Sequence, residues 1–277
     1  MGQIFSIASQ KGGVGKTTTA LSLGIAFSRL NKKTLIIDAD PQGGISFCLD
    51  RYYDMRRDQD QGRNGLYQVF CGAMDIAEAA QPSMIENLSV IDCGISARSS
   101  DIELYEDATR ATGLFREAVI QAAQHYDTVL IDCPPGIGLV SAGALAASDY
   151  VIIPVQSEPL SLRTLPQLLR QLIAIKKEHN PDLAMAGILL TMYDHQSPAS
   201  EMVAQQIRDF FEEDIVFKQA IPRDPVINLL FAGHENITSV LTEIEAQSVA
   251  FQAYQALASE IAIQFSETPL RLNSISH

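Results

Sequence analysis

The chain has 277 residues, 47% of them hydrophobic, and a net charge of −13 at pH 7 from 20 Lys and Arg against 33 Asp and Glu. That length and apolar share suit one α/β domain with a large buried core, and residues 1–277 are read as that single domain. The acidic balance excludes polyanion binding by bulk charge and leaves it only to a local basic patch. No apolar run approaches the roughly twenty residues that cross a bilayer, and the amino end enters a strand rather than a leader, so a cytosolic protein is expected.

In chain order, a strand over residues 3–8 leads into Gln10-Lys11-Gly12-Gly13-Val14-Gly15-Lys16-Thr17-Thr18, and a helical stretch from Ala20 follows. Strand, glycine loop and helix N-terminus together form a phosphate cradle. Backbone N–H groups of Gly12 to Lys16 wrap a polyphosphate where no side chain blocks the approach, and the helix end adds positive potential. In such a cradle Lys16 reaches the β/γ-phosphates and Thr17 holds Mg²⁺. Met1-Gly2 through Ser6 match a myristoylation pattern, but Ser6 falls inside the strand, so the match is read as coincidence.

Two apolar runs end in carboxylates where a doubly wound sheet places its ligands. The first is Leu35-Ile36-Ile37-Asp38-Ala39-Asp40, the second Val129-Leu130-Ile131-Asp132-Cys133-Pro134-Pro135-Gly136. A capping or turn aspartate is the alternative for each. Between them the charged stretch 50–65 reads as a surface excursion, with a partner-docking element as the alternative. Further strands are expected at 88–92, 149–155, 186–191 and 216–221, separated by helical patterns. This alternation predicts an α/β fold: a doubly wound, mainly parallel sheet with helices on both faces.

The helix predicted over 161–179 carries Arg163, Arg170 and Lys177 at seven-residue spacing, with Lys176 adjacent and Leu162, Leu165, Leu169, Leu172 and Ile173 as the apolar face. A DNA-binding stripe and a merely solvated face both fit that spacing. The last helical stretch, around Phe251–Leu257, reads as packing on the domain; beyond Ser248 the only Lys or Arg is Arg271, which disfavours a basic membrane helix. The four cysteines, Cys48, Cys71, Cys93 and Cys133, show no C-x-x-C spacing and are expected to be reduced packing residues. A cluster ligated by Cys93 and Cys133 is the disfavoured alternative.

The loop K-G-G-x-G-K-[ST], with Gln10 where the strict pattern has its first glycine, resembles the deviant Walker A motif of the ParA/MinD class of P-loop ATPases. Absence of a DNA-reading domain before the loop resembles the small, Soj-like branch. The resemblance covers nearly the whole chain and is strongest at residues 3–44 and 127–160. It implies ATP and Mg²⁺ as ligands, with Asp132 as the Walker B carboxylate, Asp40 in switch I ordering the attacking water, Asp38 steadying the loop and metal shell, and Pro134–Gly136 as switch II. Lys11 is then the signature lysine that reaches the nucleotide of a second subunit. Asn31-Lys32-Lys33-Thr34 lacks the aspartate of a guanine-reading stretch, so adenine is expected, placed by resemblance near Pro222. Arg223, in an Ile-Pro-Arg run, resembles a DNA-contact position. The family implies an ATP-dependent homodimer, sequence-independent DNA binding, slow hydrolysis stimulated by a ParB-like or adaptor protein, and positioning of a cargo. A MinD-like membrane-positioning ATPase and a switch acting through protein contacts alone share the same nucleotide site.

Overall fold

The computed structural model describes residues 2–49, 65–95, 105, 107, 112–232 and 237–265. Its strands are β1 (Gln3–Ile7), β2 (Thr34–Asp38), β3 (Gln81–Pro82), β4 (Leu88–Ile91), β5 (Thr128–Asp132), β6 (Tyr150–Gln156) and β7 (Ala184–Thr191). They form one sheet in the order β3-β4-β2-β5-β1-β6-β7, parallel except for the β3–β4 pair. Strand β3 was not anticipated. Its Pro82 lacks an N–H to donate and sits on the sheet edge, where proline is tolerated.

Each central strand alternates its side chains between two cores. Ile4, Leu35, Ile37, Val129 and Ile131 enter one core, and Phe5, Ile7, Ile36 and Leu130 enter the other. Burial on both faces explains why these runs are continuously apolar. The first core is covered by α5 (Thr112–Ala122), α6 (Leu139–Ala147), α7 (Pro159–Glu178) and α8 (Pro198–Phe210). The second is covered by α1 (Lys16–Arg29), α9 (Ile237–Gln247) and α10 (Val249–Gln264). Short helices α2 (Ile45–Leu49), α3 (Leu66–Phe70) and α4 (Ile76–Ala79) join β2 to β3.

The strand expected at 216–221 is not one. Val216 and Pro222 make isolated parallel bridges to Ile188 and Tyr193, while the N–H groups of Lys218 and Gln219 donate to the Glu260 carboxylate on α10 at 3.0 and 3.4 Å. A side chain from a remote helix thus takes the donors that a ladder would use. On α7, Leu165, Leu168, Leu172 and Ile175 form the buried stripe, whereas Ile173, expected on the apolar face, is 49% exposed. One residue beyond Leu172 rotates it about 100° round the helix. At the amino end Gly2 is buried and its N–H donates to Ala123 O at 2.8 Å. Of the charged stretch at 50–65, all but Gly65 lies outside the described residues, as does Arg271.

Candidate functional site

Sheet register brings the predicted site together. Ile7 pairs with Asp132, and Asp132 pairs with Asp38, so the glycine loop and both carboxylates leave the sheet at one level. Beyond β1 the loop turns through Gly13 at φ 73° and Gly15 at φ 89°, left-handed conformations that a side chain would strain. Gly15 is also the residue from which α1 starts, and its carbonyl accepts from Thr19 N at 2.8 Å. Lys16 therefore opens the helix and is 6% exposed, while Thr17 and Thr18 follow in the first turn, where the helix N–H groups have no intrahelical acceptor. Lys11 is half-buried in the loop ahead of two exposed glycines, Gly12 and Gly13.

The carboxylates have separate surroundings. Asp38 accepts from Gly44 N at 3.0 Å and Ile45 N at 3.1 Å through one oxygen, and from Asp40 N at 3.3 Å through the other. This bends residues 40–44 back toward α1; a Cβ on Gly44 would lie 3.7 Å from the Thr17 methyl carbon. Asp40 is half-buried and accepts from Gln42 N at 2.9 Å. Asp132 is fully buried, and neither of its oxygens finds a hydrogen-bond partner among the described residues.

Burial and the neighbouring Asp92 push the Asp38 carboxyl up to about 7, against the opposing Gly44 and Ile45 N–H groups. Burial, then Asp38, raises Asp132 well above the usual carboxylate range, with Thr17 and Lys16 pulling the other way. Crowded carboxylates that raise one another, two of their oxygens unpartnered beside a threonine hydroxyl, have the donor chemistry of a divalent-cation site. Asp38, Asp132 and Thr17 are the residues that fit such an ion.

Three contacts not anticipated from the sequence brace the loop. Thr191 Oγ1 donates to Val14 O at 2.9 Å, Ser9 Oγ donates to Lys11 O at 2.8 Å, and Ser9 O accepts from Gly136 N at 3.0 Å. Segment Pro134–Gly136 is thereby held against the loop, and a Cβ on Gly12 would lie 3.9 Å from Pro135 Cβ. Asp92 and Thr191 were legible in one respect: each follows an apolar strand run with a polar residue, as Asp38 and Asp132 do. Cys48, Cys93 and Cys133 are buried and Cys71 is exposed; burial, with the adjacent Asp38 and Asp132 charges respectively, pushes the Cys48 and Cys133 thiols up to about 12.

Pro222 and Arg223 follow β7's carboxyl edge, fixed by Tyr193 N to Ile221 O and Arg223 N to Tyr193 O, both 2.9 Å. Arg163, Arg170 and Lys177 are all exposed on α7. Arg223 is close to that helix's start, 3.8 Å from Glu158 at its N-cap, in an exposed pair of small energetic value. Lys176 points elsewhere, donating to Leu183 O at 2.6 Å.

A glycine loop between strand and helix, with carboxylates in the crevice at the carboxyl edge of a parallel sheet, defines a P-loop nucleotide-binding protein. Residues 2–185 match the family described as an AAA domain. The chain is 36% identical over 262 residues to the sporulation initiation inhibitor protein Soj of Bacillus subtilis (strain 168), covering 95% of this chain and 99% of that one. It is 36% identical over 261 residues to the chromosome partitioning protein ParA of Caulobacter vibrioides (strain NA1000 / CB15N), covering 94% and 93%. The chain belongs to the ParA/MinD family of P-loop ATPases.

Among solved structures it resembles cobyrinic acid a,c-diamide synthase from Mycobacterium smegmatis with bound ATP analog and magnesium, at 25% identity and TM-score 0.76, covering 99% of this chain and 100% of that one. It also resembles the septum site-determining protein MinD of Pyrococcus horikoshii OT3 complexed with Mg-ADP, at 25% identity and TM-score 0.72, covering 98% and 100%. No described helix is long and apolar enough to cross a membrane.

Proposed function

We propose that this chain is a partitioning ATPase of the ParA type, which binds ATP with Mg²⁺, dimerises around the nucleotide, binds DNA without sequence preference and positions a cargo. A ParB-like or adaptor partner stimulates a hydrolysis that is slow without it. The observation that carries the reading is the two-lysine loop, with Lys16 buried at the helix start and Lys11 outside it, in a chain 36% identical to Soj and to a chromosome partitioning ParA.

Backbone N–H groups from Gly12 to Lys16 bind the phosphates, Val14 and Thr18 complete the cradle, and the Lys16 ammonium offsets charge on the β/γ-phosphates. Thr17, Asp132 and Asp38 would hold magnesium, which would supply positive charge against that of the phosphates. Asp40, half-buried beside the loop, orders the attacking water. Pro222 flanks the base. Lys11 serves the nucleotide of the second subunit, so the charge balance completes only when two chains meet. Arg163, Arg170, Lys177 and Arg223 supply the DNA face.

The net charge of −13 favours one other reading, a nucleotide switch that works through protein contacts and leaves DNA alone. Calorimetry with ATP–Mg²⁺ and light scattering on the Asp40→Ala chain test the ATPase cycle common to both. Binding by wild type, its loss in Lys16→Ala, and an ATP-trapped Asp40→Ala dimer support it; an Asp40→Ala chain that stays monomeric with ATP contradicts it.

A further inference from the structure

Between the phosphate loop and α7 lies a cavity of about 20 Å³ lined by Ser9, Gln10, Lys11, Ser161 and Thr164, with Leu165 and Leu168 beside them. Two of these residues hold a buried polar atom without a hydrogen-bond partner among the described residues, Gln10 Oε1 and Ser161 Oγ. Ser161 is 4% exposed. A buried oxygen left in this state costs its full desolvation penalty, which native proteins relieve with ordered water.

One water needs roughly 10–15 Å³ and two to four polar partners. This cavity supplies the room, and its lining supplies three partners of matching polarity. Thr164 Oγ1 gives its own proton to Ser161 O at 3.1 Å and keeps lone pairs to accept with. A water placed there would donate to Gln10 Oε1 and to Thr164 Oγ1 and accept from Ser161 Oγ. Both hydrogens and a lone pair are used, and both orphaned oxygens are satisfied.

Position gives the site its consequence. Gln10 directly precedes Lys11, within the stretch that Ser9 ties to Gly136, and Ser161 lies two residues before Arg163 in the first turn of α7. We infer that one ordered water bridging Gln10, Ser161 and Thr164 couples the phosphate loop to α7, so that nucleotide in the loop tightens the first turn of the helix bearing the basic stripe. An anion drawn to the loop's N–H groups orders one wall of the cavity, and the shared water passes that order to the other wall. The inference goes beyond the proposed function and rests on it only in taking ATP as the ligand of the loop.

The test combines a high-resolution crystal structure with amide hydrogen exchange at residues 160–165, with and without ATP–Mg²⁺, in wild type and Ser161→Ala. Calorimetry confirms ATP binding in each. The expected result is a water at the three named atoms and an ATP-induced slowing of exchange of about five-fold in wild type, abolished in Ser161→Ala while ATP affinity stays within about two-fold. Absence of the water, or full slowing in Ser161→Ala, overturns the inference. If Ser161→Ala also loses ATP affinity, Thr164→Val, which leaves Ser161 in place, must abolish the slowing with ATP still bound, and slowing retained there overturns it as well. A wild-type chain that ignores ATP defeats the functional reading instead, and the crystallographic water still decides the site.

Discussion

The hydroxyl of Thr191, at the end of β7, donates to the backbone carbonyl of Val14 in the phosphate loop at 2.9 Å, joining residues 177 apart in sequence. Val14 is buried, so its carbonyl has little recourse to solvent once that donor is removed. Thr191→Val keeps the side-chain shape and deletes the donor. The loop then loses an anchor on its β7 side, and ATP binding is expected to weaken by about five- to ten-fold, with about 1 kcal/mol of stability lost. Calorimetry and urea unfolding measure the two effects. Unchanged ATP affinity would show that the glycine loop keeps its shape without this bond.

A second anchor ties the segment after Pro222 to the last described helix. Asp224, next to Arg223, accepts from Val226 N at 2.9 Å, Ser248 Oγ at 2.6 Å and Ala250 N at 3.1 Å, capping α10. That helix in turn meets α1 through a buried bond of 2.9 Å between Tyr254 OH and Thr19 Oγ1. Burial pushes the Asp224 carboxyl up, but the Ser248, Ala250, Val226 and Val249 hydrogen bonds outweigh it and hold the pKa below 3.8.

With a folded pKa below the unfolded one, the unfolded chain binds more protons near pH 4, so this stabilisation is complete above that range and is lost as pH falls through the folded value. Asp224→Asn is therefore expected to be less stable than wild type at about pH 7, by a margin that solvent screening of this part-exposed carboxylate keeps small, with the gap closing as pH falls below the folded pKa. Urea midpoints of both proteins across that range check it. A gap that stays constant with pH would remove the charge from the account.

How far the site could be read from the sequence follows from how local each contact is. Gln10 to Thr18 and the two strand-end aspartates were legible because a glycine loop between strand and helix, and a carboxylate after an apolar run, are short-range patterns. Register then did the rest, aligning Ile7, Asp132 and Asp38. What the sequence hid is non-local. Glu260 takes the N–H groups of Lys218 and Gln219 from 41 to 42 residues away, so a run that reads as a strand makes isolated bridges in place of a continuous ladder. Ile173 sits in an apolar neighbourhood of the sequence yet faces solvent, because the stripe on α7 follows 165, 168, 172 and 175.

Lys11 and Lys16 are expected to separate cleanly in solution. Lys16 is buried at the start of α1, whereas Lys11 stands outside the helix. Lys11→Ala should bind ATP–Mg²⁺ within about three-fold of wild type yet fail to dimerise, if its ammonium serves the second subunit's phosphates as proposed. Analytical ultracentrifugation with ATP reads this directly. A Lys11→Ala chain that dimerises as wild type does would strip the two-lysine loop of its proposed meaning.

DNA retention of the Asp40→Ala chain with ATP–Mg²⁺ over a salt series decides whether this acidic chain carries DNA once ATP pairs it. Arg163, Arg170 and Lys177 are exposed together on α7, and two such stripes in one dimer gain avidity without a new contact. Expected are binding without sequence preference, a steep loss with salt, and elimination by Arg163→Glu with Arg170→Glu while ATP binding and dimerisation persist. A trapped dimer that ignores DNA at low salt, or a double variant that binds as tightly as its parent, would contradict the claim and leave the protein-contact switch as the better account.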